Sequence, residues 1–205
     1  MAVDKKRLTQ EQRTQMSDER MYAAAATLVL EKGVLQTSLK EVGEKAGYSR
    51  GLAQSRFGSK EKLFEGLVKR SYRHWIREMG GYIGDQQGWQ AFARCVNAFE
   101  HFLLDTPQEL QVLQTLWYHS ITHHSVLQDK TREYQQRMVK DVERWMSEAK
   151  QKGEVQHDLD EHDFAMRHMS FIFGIVYMWL LNPSKIPIQK TFASYLTNAQ
   201  REALV

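Results

Sequence analysis

The sequence is poor in cysteine and proline: 205 residues contain one cysteine, Cys95, and three prolines. A single thiol can neither close an intramolecular disulfide nor build a multi-thiolate metal site, which excludes a stapled scaffold. Scarce proline with abundant Ala, Leu, Glu, Gln, Lys and Arg favours helices over a β-sandwich or barrel. Long apolar runs are also missing. The longest, Met169 to Leu181, contains Ser170 and Gly174 and stops at thirteen residues, whereas a bilayer span takes roughly 20. Residues 1–15 are polar and lack the apolar stretch of a signal peptide. No nucleophile elbow, glycine-rich phosphate loop or dinucleotide fingerprint occurs. These absences predict a cytoplasmic helical protein that is not an enzyme, with no cofactor, no metal and no membrane partner.

What is present is an ordinary globular composition, 42% hydrophobic and 26% charged. The net charge of +3 hides an asymmetry. Residues 1–80 carry 16 Lys and Arg against 10 Asp and Glu, while the remainder carries 12 against 15. A basic N-terminal part on an acidic remainder points to a polyanion-binding module joined to something that binds other things; a merely solvated surface is the alternative.

Hydrophobic spacing predicts an all-α protein of nine helices. Met21, Ala24, Ala25 and Leu28 follow the start signal Ser17-Asp18-Glu19, and Gly33 stops that helix. Ser38-x-x-Glu41 is a capping box opening a short helix to Ala46. Gly47 turns the chain, Ser49 can cap a second short helix to Phe57, and Ser59 opens a long helix bearing Phe64, Val68, Tyr72, Trp75 and Met79, ended by Gly80-Gly81 and Gly84. Further stripes run from Trp89 to Leu103, from Pro107 to near His124, and from Tyr134 to Ala149. Asp160 to Leu181 is apolar nearly all round in its second half and should be buried on most faces. Pro187 to Leu204 is the ninth helix. The division expected is a three-helix domain at 1–58 and a six-helix bundle at 59–205.

Two short helices joined at a glycine are the arrangement of a helix-turn-helix, whose second helix enters the DNA major groove. Val42, Ala46, Ala53, Phe57 and Leu28 can share one small core, which leaves Ser49, Arg50, Gln54, Ser55 and Arg56 on the polar face. Arg pairs with guanine and Gln with adenine in bidentate fashion.

The stretch from about Ser17 to Leu67 resembles the TetR-type transcriptional regulators. The resemblance lies in Ala25-x-x-Leu28, in EKGVLQTSLKEVGEKAGYSRG from Glu31 to Gly51, and in FGSKEKLF from Phe57 to Phe64. It covers about the first third of the chain; the rest is similar only in helix number and length. It implies a homodimeric repressor that binds a palindromic double-stranded DNA operator and carries a small-molecule effector site in its C-terminal helices. By position, Thr37 and Ser38 would face phosphate, Ser49, Arg50, Gln54, Ser55 and Arg56 would lie on the recognition helix, and Lys60 would meet a phosphate. The family commonly has tyrosine and histidine where this chain has Gln54-Ser55-Arg56, so the tyrosine-to-phosphate contact is replaced, with Arg56 available to supply a charged one. Lys5, Lys6, Arg7 and Arg13 form a basic arm, either minor-groove binding or idle.

The aromatic stripes are core at helical spacing, yet apolar cavities form between bundle helices. The residues expected to line one are Trp75, Phe99, Trp117, His119, Tyr134, Phe171 and Met178, for an apolar or aromatic effector. His119 and His123 share a helix face, but a metal needs a third ligand, and a hydrogen-bonded pair is the simpler reading. Cys95 reads as a buried, inert thiol. Helices 8 and 9 carry the largest apolar surface of the last third and are expected to form the dimer interface. The rival reading is a helical small-molecule carrier with a non-functional helix-turn-helix.

Overall fold

The computed structural model describes residues 9–122 and 125–204. Among these the chain forms nine helices: α1 (Gln10–Gln36), α2 (Leu39–Lys45), α3 (Arg50–Phe57), α4 (Lys60–Ile83), α5 (Gly88–Asp105), α6 (Pro107–Ile121), α7 (Val126–Gln151), α8 (Glu161–Leu181) and α9 (Ile188–Ala203). No strand occurs among the described residues; Val155 and Leu204 make one isolated antiparallel bridge.

Capping chemistry explains most of the boundaries. Ser38 and Glu41 close a reciprocal capping box at α2, and the Ser59 hydroxyl accepts from the Lys62 amide at α4. Ser49 occupies the N-cap of α3, but its side chain makes no capping bond. The α1 start lies eight residues before the expected one, at Thr9 in place of Ser17. Thr9 and Gln12 form a capping box there, so Arg13 belongs to the helix rather than to a tail. Helical backbone breaks at Gly33, where φ is 84°, and one further turn follows to Gln36. The fourth helix runs through Gly80-Gly81 and ends at Gly84, which takes a positive φ.

The small head, α1 to α3, is held by α4 and α6. The N-terminal half of α4 buries Leu63, Phe64, Leu67 and Val68 in a core continuous with Met21, Leu28, Val42 and Ala53, and α6 packs along α1. In the bundle α7 is central, packing against α4, α5, α6 and α8.

Two expectations about the last helices are corrected. Helix α8 buries one face only: Phe164, His168, Ile172, Ile175 and Trp179 face the bundle, while Met166, Tyr177, Met178 and Leu181 are exposed. It has 21 residues with a mean hydropathy of 1.4 over its best window, so length and composition alone would suffice to cross a membrane, and its buried face packs on α7. Helix α9 spends its apolar residues inside its own chain. Phe192 is 1% exposed, between Phe99 and Phe171, and Ile188 is buried with it.

Candidate nucleic-acid interface

The angle between α2 and α3 is set by two glycines. Gly47, with φ at 79°, makes the turn at a backbone conformation that disfavours a β-carbon. Gly43 provides close approach: a β-carbon there would lie 2.9 Å from the Ser49 carbonyl oxygen. The Tyr48 amide also donates to the Gly43 carbonyl at 2.9 Å. With α2 and α3 so close, Val42 and Ala53 are fully buried, and Ala46 and Phe57 pack against them.

The outer face of α3 presents Arg50, Gln54 and Ser55, with Ser49 at its start, all exposed. The Arg50 guanidinium is held by the Glu44 carboxylate of α2, with 72% of its side chain exposed. Gln54 donates to the Gly58 carbonyl at 2.6 Å. Both side chains are therefore oriented before any contact with DNA, and both bonds are at the surface, where exchange costs little.

Four other predicted residues are placed differently from one another. Thr37 is buried and its hydroxyl donates to the Gly33 carbonyl at 2.9 Å, so its side chain braces the α1–α2 junction and does not face solvent. Ser38 is half-buried, and its hydroxyl donates to Glu41 at 2.6 Å. Lys32 and Ser38 together hold the Glu41 carboxyl down at about 2. Arg56 turns inward to Asp18 of α1 at 3.4 Å, while Tyr22 and Phe57 pack beside it with centroids 5.4 Å apart. Lys60 donates to the carbonyls of Val34 at 3.3 Å and Leu35 at 3.1 Å, which caps the end of α1 with a cation. Lys5, Lys6 and Arg7 lie outside the described residues.

In the bundle, Trp75, Phe99, Trp117 and Tyr134 do converge, on the junction of α4, α5, α6 and α7. What they surround is a closed core. Two adjoining voids of about 30 Å³ each share Trp75, Phe99 and Met138, room for little more than a water apiece. Tyr72 stacks on Tyr134 at 3.8 Å, and Trp75 meets Phe99 and Phe102 edge-on at 5.2 and 5.5 Å. Phe171, Met178 and His119 do not join them. Phe171 stacks on Tyr195 of α9 at 3.8 Å, Met178 is exposed, and His119 lies half-buried elsewhere on α6. His123 lies outside the described residues. Cys95 is buried beside Met79 with its thiol pushed up to about 12 by burial, consistent with an inert role. His168 is buried in the same region, bonded to the Tyr195 hydroxyl at 2.9 Å, and burial lowers it to about 3.

Residues 22–67 match a family of known sequences described as bacterial regulatory proteins, tetR family. The match covers the helix-turn-helix and the first third of α4, and the likeness to that family is a likeness of this segment. An uncharacterized HTH-type transcriptional regulator of Bacillus subtilis (strain 168), YfiR, is 26% identical over 99 residues, a match that spans 46% of this chain and 48% of YfiR. Two solved structures share the fold over nearly the whole length. NalD of Pseudomonas aeruginosa, the secondary repressor of the MexAB-OprM multidrug efflux pump, superposes with a TM-score of 0.74 at 17% identity, covering 94% of this chain and 98% of NalD. The transcriptional regulator FadR of Bacillus subtilis, solved in complex with stearoyl-CoA, gives 0.76 at 20% identity, covering 88% of this chain and 96% of FadR.

Against the tetR pattern, two features of this head were missed by sequence reasoning. Gly43 carried no turn signal of its own, because its role is a close approach to a carbonyl six residues on. The inward aim of Arg56 and Lys60 depends on partners in α1, which local spacing does not reveal.

Proposed function

We propose that this chain is a homodimeric DNA-binding transcriptional repressor, bound to a palindromic operator and released by a small effector. The observation that carries the reading is the outer face of α3, where Arg50 and Gln54 stand exposed and oriented on a rigid tetR-type head. Arg50, Gln54, Ser49 and Ser55 read base edges, the remaining N–H of Lys60 takes phosphate, and Ser38 does so by turning its hydroxyl away from Glu41. Arg56 and Thr37 act as braces. Residues up to 58 form the reading head, and 59–205 receive the effector and pair the two copies.

The exposed strip of Met166, Tyr177, Met178 and Leu181 on α8, with the small outer residues of α9, is where a second copy packs. Such a C2 pair places two recognition helices on one duplex and requires a two-half-site operator. NalD is a repressor and FadR was solved with an acyl-CoA, which supports both the sign of control and a small-molecule ligand. Release requires an effector that binds the DNA-incompetent arrangement more tightly than the competent one.

Selection of duplexes from a random pool by the full chain tests the reading. The expected product is an inverted repeat with half-sites about one helical turn apart, or a small multiple of that. A pool that shows no enrichment after repeated rounds contradicts it.

A further inference from the structure

Beside the closed core lies an open cleft of about 420 Å³ between the C-terminal half of α6, the first turns of α7 and Phe173 of α8. Its size is that of a small-molecule site. Three buried polar atoms on residues of this one cleft have no hydrogen-bond partner among the described residues: Gln114 Nε2, Trp117 Nε1 and Gln128 Oε1. Gln114 itself is only 6% exposed. Buried polar groups are normally paired, and a folded chain bears a cost for each that is not. Three such atoms on residues of a single cleft, two donors and one acceptor, form a recognition pattern. Of the described residues on these walls, Arg132 alone is charged; its contact with Asp129 is 3.5 Å long and both side chains are mostly exposed. Tyr118, Ile121, Met138 and Phe173 supply the apolar part.

We propose that this cleft binds an apolar hydroxy acid. The carboxylate accepts N–H bonds from Gln114 and Trp117 and faces the Arg132 charge, and the hydroxyl donates to the Gln128 carbonyl. An aromatic or alicyclic body lies against Ile121, Met138 and Phe173. The inference rests on the regulator reading above and adds the effector's class and its place. It also assigns the coupling to α6: Gln114 and Trp117 hold the ligand near one end, while Gln108, Glu109 and Val112 near the other line the groove against Tyr22, Ala26 and Leu30 of α1. A ligand-driven shift of α6 therefore moves the head directly.

Calorimetric titration of the full chain with 6-hydroxy-2-naphthoate, 2-naphthoate and 2-naphthol tests this. The hydroxy acid is expected to bind, and the two compounds that each lack one polar group are expected to bind about tenfold more weakly. Gln114→Leu should weaken the hydroxy acid about tenfold while raising the melting temperature of the ligand-free protein, because an unpaired buried amide gives way to an apolar group of similar volume. Trp117→Phe keeps an aromatic ring, loses the N–H, and should weaken binding in the same direction. No heat with any of the three compounds, binding that Gln114→Leu leaves unchanged, or a Gln114→Leu protein that melts below wild type overturns the proposal. Binding of the selected duplex by the same preparations keeps the two readings apart. Hydroxy-acid binding without DNA binding overturns the regulator reading alone, and DNA binding without hydroxy-acid binding overturns the cleft.

Discussion

The head and the bundle solve opposite problems with the same secondary structure. In the head the residues proposed to act are outside, on one turn-and-helix segment of nine residues from Ser49 to Phe57, and the core beneath them is small. In the bundle the aromatic residues that looked functional are inside, packed to voids of about 30 Å³, and the unmet polar groups lie to one side of them. A DNA reader must be rigid and exposed; a ligand receiver needs unsatisfied groups that something else completes. The difference teaches that aromatic richness marks packing, whereas unpaired polar atoms mark a place for a partner.

The strongest way to break this comparison is to put a charge on each side of it. Phe192→Glu places a carboxylate among Phe99 and Phe171 and should cost more than about 4 kcal/mol, unfolding the bundle at room temperature. Tyr177→Glu, on the exposed strip of α8, should leave the circular dichroism and melting of each protomer nearly intact while shifting sedimentation from dimer to monomer. A folded Phe192→Glu protein, or a Tyr177→Glu protein that stays dimeric, would show the two faces of the α8–α9 pair to be assigned wrongly.

How much of this was legible in the sequence follows the same division. The nine helices and the helix-turn-helix could be read because caps, glycines and stripes are local signals. The start of α1 could not be read from its stripe, since between Gln10 and Arg20 only Ser17 is buried; the Thr9-x-x-Gln12 box was the available signal. Trp75, Phe99, Trp117 and Tyr134 each lie on a stripe of a different helix and meet at one junction, but spacing along a helix does not reveal whether a group of aromatics encloses a cavity or fills one. Phe171 went astray because a helix apolar on several sides gives no bearing on which neighbour each side meets. Arg56 and Lys60 point inward because of Asp18, Val34 and Leu35, partners 25 to 38 positions away along the chain.

Smaller changes sharpen the account of the head. Gly43→Ala should cost about 1–3 kcal/mol, because the added methyl meets backbone that cannot move without opening α2 from α3. It should weaken operator binding as well. Ser38→Ala removes the capping box of α2 and should cost about 1 kcal/mol by urea denaturation. A Gly43→Ala protein as stable and as tight on DNA as wild type would remove the close approach from the explanation.

A further effect is in the bundle and depends on pH. Burial holds His168 at about 3, against an ordinary 6.5, so the unfolded chain takes up a proton that the folded chain refuses. The stability gained by keeping the ring neutral is complete above 6.5 and declines as pH falls towards 3. His168 therefore lowers the urea midpoint between about pH 7.5 and about pH 5.5, above the range where carboxylates titrate, against the opposite contribution of the exposed His162, which its bond to Glu143 raises. His168→Gln should flatten that drop. An unchanged slope would mean that another group carries it.

The claim that α3 is the reader is tested most directly by fluorescence anisotropy of a labelled selected duplex and a scrambled duplex, with wild type, Arg50→Ala and Gln54→Ala. Each substitution should weaken binding to the selected duplex by about 1–3 kcal/mol, leave binding to the scrambled duplex nearly unchanged, and leave the melting temperature within about a degree of wild type. If both variants bind the selected duplex as wild type does, the exposed face of α3 does not read DNA.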